Sequence, residues 1–117
     1  MLPVEISRTT HESHAELMLR ADETLFWFRG HFPKQPLLPG IAQLDWALRY
    51  GMEILAPQWR FSAVENIKFQ RPVLPGNTLR LTLSWREEKR HLAFSYHIVR
   101  QQGDELPASN GKITLCQ

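Results

Sequence analysis

What this chain has little of narrows the reading first. It carries one cysteine, Cys116, so no disulfide can close within it and nothing asks for an oxidising compartment. No apolar stretch approaches the roughly 18 to 20 residues that a bilayer-spanning helix needs. The opening Met1-Leu2-Pro3-Val4-Glu5 has neither the basic start nor the apolar run of a secretory signal. The expectation is a cytoplasmic chain with no membrane span. Charge of one sign is also missing: 14 Lys and Arg stand against 12 Asp and Glu, a net +2. Without a dense basic stripe, nucleic acid is not an expected partner. The richest basic cluster, Arg86, Lys89 and Arg90, reads as a solvated hairpin tip, with a docking patch for an acidic partner as the alternative. His11, His14, His91 and His97 lack the spacing of a metal site, so no metal is expected.

Within its 117 residues the chain has room for a single domain, 1–117. An internal ligand cavity would consume much of so small a core, a shortage that dimerisation relieves. Ala15, Leu17, Leu19 and Ala21 alternate with Glu16, Met18 and Arg20, a period of two that predicts a strand over 14–21. Asp22-Glu23 predicts a turn, and the aromatic run Leu25 to Phe28 a return strand. The stretch from Gly30 to Gly40 holds prolines at 33, 36 and 39 and predicts a rigid loop. A helix is predicted from about Pro39 to Leu55, with Ile41, Leu44, Leu48, Met52 and Leu55 on its apolar face. Ala42, Trp46 and Ala47 extend that face, so burial on most sides is expected. The rest reads as strands: 61–68, then Leu79 to Trp85, Leu92 to Arg100 and Ala108 to Leu115, with turns at 86–90 and 101–107. The layout is α+β, one helix against an antiparallel sheet. Trp27, Trp46, Trp59 and Trp85 are expected in the core or at a subunit contact.

Two residues stand out chemically. His31 sits on the proline-rich loop, and Asp45 follows it by fourteen positions, flanked on the helix by Ile41, Leu44 and Leu48. A carboxyl among apolar neighbours is costly unless it has a task. Such surroundings favour its protonated form, ready to donate. The plainer alternative pairs Asp45 with Arg49, four residues on, and has His31 merely shaping its loop. Pro39-Gly40 opens the helix, where unpaired N–H groups and the positive dipole end suit a developing oxyanion. Base, acid and oxyanion donors together are what β-elimination from a thioester requires.

Gly30-His31-Phe32-Pro33, then Pro36, Pro39-Gly40 and Asp45, closely resembles the β-hydroxyacyl-(acyl carrier protein) dehydratases. The run Ile67-Lys68-Phe69-Gln70-Arg71-Pro72-Val73-Leu74-Pro75-Gly76-Asn77 resembles their strand-and-turn signature, and Ser109-Asn110-Gly111-Lys112 their last strand. The resemblance covers about residues 14–115. It implies a hotdog fold, a long central helix wrapped by a curled antiparallel sheet. It implies a homodimer with shared active sites, the histidine coming from one subunit and the acid from the other. His31 would then take the C2 proton, Asp45 would protonate the leaving C3 hydroxyl, and the Gly40 N–H would hold the thioester oxygen. Pro39, Ile41 and Phe32 would line the substrate. The partner implied is an acyl carrier protein, with further subunits open. No cofactor is implied beyond the phosphopantetheine that carries the substrate.

Two positions depart from the family pattern: Lys34 stands where glycine is usual, and Arg49 where glutamine is usual. Asp45 itself replaces the commoner glutamate, as in the branch that also isomerises the double bond, but the short chain is more similar to the small dehydratases of secondary lipid pathways such as aryl-polyene synthesis. A hotdog thioesterase, with ionised Asp45 activating water, and a non-catalytic acyl-carrier-binding subunit are the other readings. Arg49 favours the first of these and the retained His31 and Asp45 argue against the second.

Overall fold

The computed structural model describes residues 2–25, 28 and 36–117. His31, Phe32 and Lys34 fall in the 29–35 stretch, which with Met1, Phe26 and Trp27 lies outside the described residues. Period-two alternation builds most of the sheet. Strands β1 (Val4–His11), β2 (His14–Arg20), β3 (Arg60–Phe69), β4 (Thr78–Arg86), β5 (His91–Val99) and β6 (Glu105–Cys116) form one six-stranded sheet. Every neighbouring pair is antiparallel, in the order β1-β2-β4-β5-β6-β3. The last three strands in sequence form a meander, whereas β3 crosses to the far edge beyond β6. Leu79, Leu81, Leu83 and Trp85 of β4 all turn inward as expected, and Leu17 and Tyr96 flank Leu81 directly across the strands. Helix α1 (Gly40–Ile54) lies against this apolar face. That is the α+β hotdog arrangement the resemblance implies.

Helix α1 forms where expected but buries a different stripe. Ala42, Gln43, Trp46, Ala47, Tyr50 and Gly51 face the sheet. Ile41 is 67% exposed, and Leu44, Leu48 and Met52 are only partly buried. Close approach explains the choice. Alanine and glycine at 42, 47 and 51 let the helix axis settle onto the sheet, and Trp46, fully buried, fills the remaining space. Burying one large side chain in this way contributes about 1.5–3 kcal/mol.

Three other expectations are corrected. There is no return strand over 25–28 at its described positions: Leu25 lies outside any strand and the Phe28 N–H donates back to the Leu25 carbonyl at 3.1 Å, closing a tight turn. The partner of β2 is instead β1, unforeseen because all eight of its residues are exposed and no alternation marks it. The turn after β5 ends earlier than 107, since β6 starts at Glu105 and takes Pro107 into the strand. There the register slips between Tyr96 and His97, leaving Ala108 as the extra residue of a bulge. Among the tryptophans, Trp46 and Trp85 are buried, and Trp59 meets Trp85 edge to face at 5.0 Å.

A Cβ added at Gly51 would stand 2.3 Å from Leu92 Cδ2, and Leu92 is fully buried. Gly51→Ala is therefore expected to destabilise the fold by about 1–3 kcal/mol, although alanine is the better helix former by about 1 kcal/mol. Urea unfolding measures this. An unchanged or raised midpoint would show that the helix does not rest on the sheet at this point.

Candidate active site

The stretch from Val73 to Asn77 holds the chain at Ala21, ahead of the proline-rich loop, and at Leu38, near the loop's end. Leu74 to Asn77 form a tight turn with Gly76 at φ +86°, a conformation natural to glycine. Asn77 closes it twice, its N–H donating to the Leu74 carbonyl at 3.1 Å and its Oδ1 accepting from the Leu74 N–H at 2.8 Å. From this turn the Gly76 N–H donates to the Ala21 carbonyl at 2.6 Å, and the Ala21 N–H to the Asn77 carbonyl at 2.9 Å. The chain is thus held where it leaves β2. Where it enters α1, the Leu38 N–H donates to the Val73 carbonyl at 2.9 Å.

Helix α1 starts at Pro39-Gly40 with no side-chain cap and no acidic residue in its first turn. The Ala42 and Gln43 N–H groups both donate to the Pro39 carbonyl, at 3.0 and 3.3 Å. Among the described residues, no backbone carbonyl accepts from the Gly40 or Ile41 N–H. These uncapped donors sit at the positive end of the helix dipole. Pro39 and Gly40 line a groove of about 330 Å³ with Leu38, Gln43, Phe69 and Arg71. The Phe69 ring lies so close over Gly40 that an added Cβ would come within 2.4 Å of its Cζ. Glycine at 40 therefore lets an aromatic ring, or a ligand in its place, approach the backbone.

Asp45 lies one turn further on and does not line this groove. Its Oδ2 accepts from Arg49 Nε at 2.9 Å, the i,i+4 pair that the sequence left open. The side chain is 32% exposed rather than enclosed, because Ile41, Leu44 and Leu48 are not the buried stripe. Ile41 points to solvent at 67% exposure. Of the predicted site residues, a single chain brings Pro39 and Gly40 together in the groove and leaves Asp45 and Ile41 outside it. His31 and Phe32 lie outside the described residues. Among the described residues, no cluster of three His, Cys, Asp or Glu side chains could hold a metal, and no helix is long and apolar enough to cross a membrane.

Sequence reasoning missed a buried polar group in the wall of the groove. Gln43, 3% exposed, accepts at Oε1 from the Ser109 hydroxyl at 2.7 Å and donates from Nε2 to the Leu38 carbonyl at 3.4 Å. Its own carbonyl accepts from the Tyr96 hydroxyl at 2.6 Å. The available signal was Gln43 at i+4 spacing with Ala47 and Gly51, a polar residue on a stripe of small ones. Complete burial pushes the Tyr96 phenol well above its ordinary pKa. A group whose folded-state pKa is raised contributes its stability fully below the unfolded value, about 10 for tyrosine, and loses it as pH climbs beyond. Tyr96→Phe is expected to cost about 1 kcal/mol at neutral pH and to lessen the alkaline loss of stability. Urea unfolding at neutral pH and above pH ~10 checks both, a smaller alkaline loss remaining from Tyr50, whose pKa is also raised by burial.

Comparison with known proteins follows the same lines. The ApeI-like family model, described as ApeI dehydratase, matches residues 7–112. An uncharacterized protein from Erwinia carotovora subsp. atroseptica, solved by crystallography, is 55% identical, with 98% of this chain and 96% of that one covered and a TM-score of 0.90. A chain of the dehydratase heterocomplex ApeI:P from Xenorhabdus doucetiae is 49% identical over 100% of both chains, with a TM-score of 0.92. The 3-hydroxyacyl-(acyl-carrier-protein) dehydratase FabZ of Pseudoalteromonas translucida is 36% identical over 75 residues, 56% of this chain and 49% of that protein. The chain spans about half the length of the curated relatives it matches. With the family match running from the first strand to the last, this chain belongs to the ApeI-like dehydratase family.

Proposed function

We propose that this protein removes water from a 3-hydroxyacyl thioester borne by an acyl carrier protein, giving a trans-2-enoyl thioester. The observation that carries this reading is the uncapped helix start at Gly40, set in a groove walled by Phe69 to Pro72. There the Gly40 N–H would donate to the thioester oxygen as charge develops on it. His31 would take the C2 proton, and the C2–H electrons would move into the enolate held at Gly40. Return of those electrons expels the C3 hydroxyl, which leaves as water with a proton from Asp45. Exchange with solvent then frees His31 of its proton and restores the one on Asp45. For Asp45 to donate, its bond to Arg49 must open. The Arg49 side chain is 61% exposed and can turn into water without stranding a buried charge.

Because Asp45 does not line the groove of its own chain, the reading calls for a second subunit that brings His31 of one chain to Asp45 of the other. Two features support this. Strand β3 leaves one edge unpaired, and Phe61 and Phe69 upon it are exposed. An edge-to-edge homodimer would cover both. The heterocomplex among the relatives supports a further, different subunit as a partner. The same reading makes this a cytoplasmic enzyme that needs no metal or redox cofactor, the phosphopantetheine arm arriving with the substrate.

The test presents the protein with 3-hydroxyacyl-carrier thioesters of several lengths and follows products by mass spectrometry. Loss of one water is expected, reduced about 10²- to 10⁴-fold in His31→Ala and in Asp45→Asn. Free acid in place of enoyl thioester would identify a thioesterase instead. Intact thioester across the panel, with candidate partner subunits added, would leave a carrier-binding role and end the dehydratase reading. Analytical ultracentrifugation of the protein alone is expected to give twice the chain mass, and a monomer that nevertheless turns substrate over would remove the shared-site arrangement.

A further inference from the structure

Gln43 and Ser109 are the buried polar or charged side chains of the core among the described residues, 3% and 1% exposed, and they bond to each other. An apolar pair could fill the same space without the cost of desolvating a hydroxyl and an amide. What the polar pair adds is connection. Ser109 follows the bulged Ala108 in β6. The Ala108 carbonyl accepts from the Gln70 N–H at 2.8 Å and the Arg71 N–H at 3.3 Å, which sets one wall of the groove. Ser109, through Gln43, reaches the Leu38 carbonyl and sets the other. The Leu38 N–H on Val73 joins the two walls. Hydrogen bonds and backbone together therefore close a ring through both walls, and the Gln43 side chain holds the Leu38–Pro39 peptide beside the Pro39 carbonyl that the Ala42 and Gln43 N–H groups already hold.

We propose that Gln43 and Ser109 are positioning residues for the Gly40 N–H, aligning it to the enolate oxygen through the Leu38 carbonyl. This rests on the dehydratase reading and adds to it the residues that hold its oxyanion donor. Gln43 reaches the donor through the Leu38 carbonyl, so its loss falls on the transition state more than on substrate binding. The bulge at Ala108 gains a purpose as well, since it lets adjacent residues of β6 serve opposite walls.

Two substitutions separate positioning from packing. Gln43→Met keeps the approximate shape and removes both side-chain bonds. Gln43→Glu keeps an acceptor for Ser109 but can donate to Leu38 only while protonated. Gln43→Met is expected to lower kcat about tenfold or more, with KM changed by less than about twofold and the folded fraction unaltered by circular dichroism. For Gln43→Glu, the ratio of its kcat to that of the unsubstituted protein at each pH is expected to fall as the glutamate ionises. Taking the ratio cancels the titration of His31. A flat ratio overturns the proposal, as does a loss in Gln43→Met that lies in KM alone or follows the unfolded fraction. Should the unsubstituted protein turn over no thioester, the dehydratase reading fails, and the amide NMR resonance of Gly40 decides the positioning claim. A shift of that resonance in Gln43→Met upholds the link from Gln43 to Gly40, and an unmoved resonance overturns it.

Discussion

Close contact between one helix and one sheet is the constraint on which the rest of this molecule depends. A single layer of strands has no second sheet to cover it, so α1 must lie low enough to exclude water from the inward rows of β2, β4, β5 and β6. Ala42, Ala47 and Gly51 make that possible, and the tight fit between Gly51 and Leu92 shows how little room is left. Once the helix is seated, its first turn has a fixed height above β6. That height brings Gln43 within reach of Ser109 and Tyr96. The geometry of the groove is thus inherited from the packing of the core.

The same constraint explains the helix surface left uncovered. Ala42, Ala47 and Gly51 share the face toward the sheet with Trp46 and Tyr50, so Ile41, Leu44, Leu48 and Met52 are turned to the flank. A single chain leaves this stripe, the edge of β3 and the Phe69 ring partly open to solvent. Asp45 lies on that open side with Arg49 as its partner. Asp45 and the groove thus do not meet within one chain.

How much was legible in the sequence follows from which side chains see two environments. β2, β4 and β5 separate core from solvent residue by residue, and their alternation is plain. β1 has solvent on both faces and gives no period. The helix was legible in extent but not in orientation, because apolar residues ring most of it and bulk suggested the wrong stripe. The low helix needed small residues at 42, 47 and 51 beside Trp46 and Tyr50, not an unbroken stripe of aliphatic side chains. For the site, the open helix start at Gly40 and the Asp45–Arg49 spacing could be read directly, since each depends on near neighbours in sequence, whereas the Phe69 to Pro72 wall of the groove could not. Gln43 with Ser109 could not, because 66 positions separate them and only the fold brings them together.

The two anchors at Ala21 and Leu38 have a consequence for how the chain can vary. Ala21 and Leu38 are both tied to the short stretch between Val73 and Asn77. The intervening residues therefore form a segment closed at its base by contacts outside itself. For such a closed segment, doubling the length adds only about 0.6 kcal/mol of closure entropy. The stretch can therefore lengthen or shorten at little entropic cost while the helix behind it keeps its place, with Leu25 and Phe28, which belong to the core, as its fixed points.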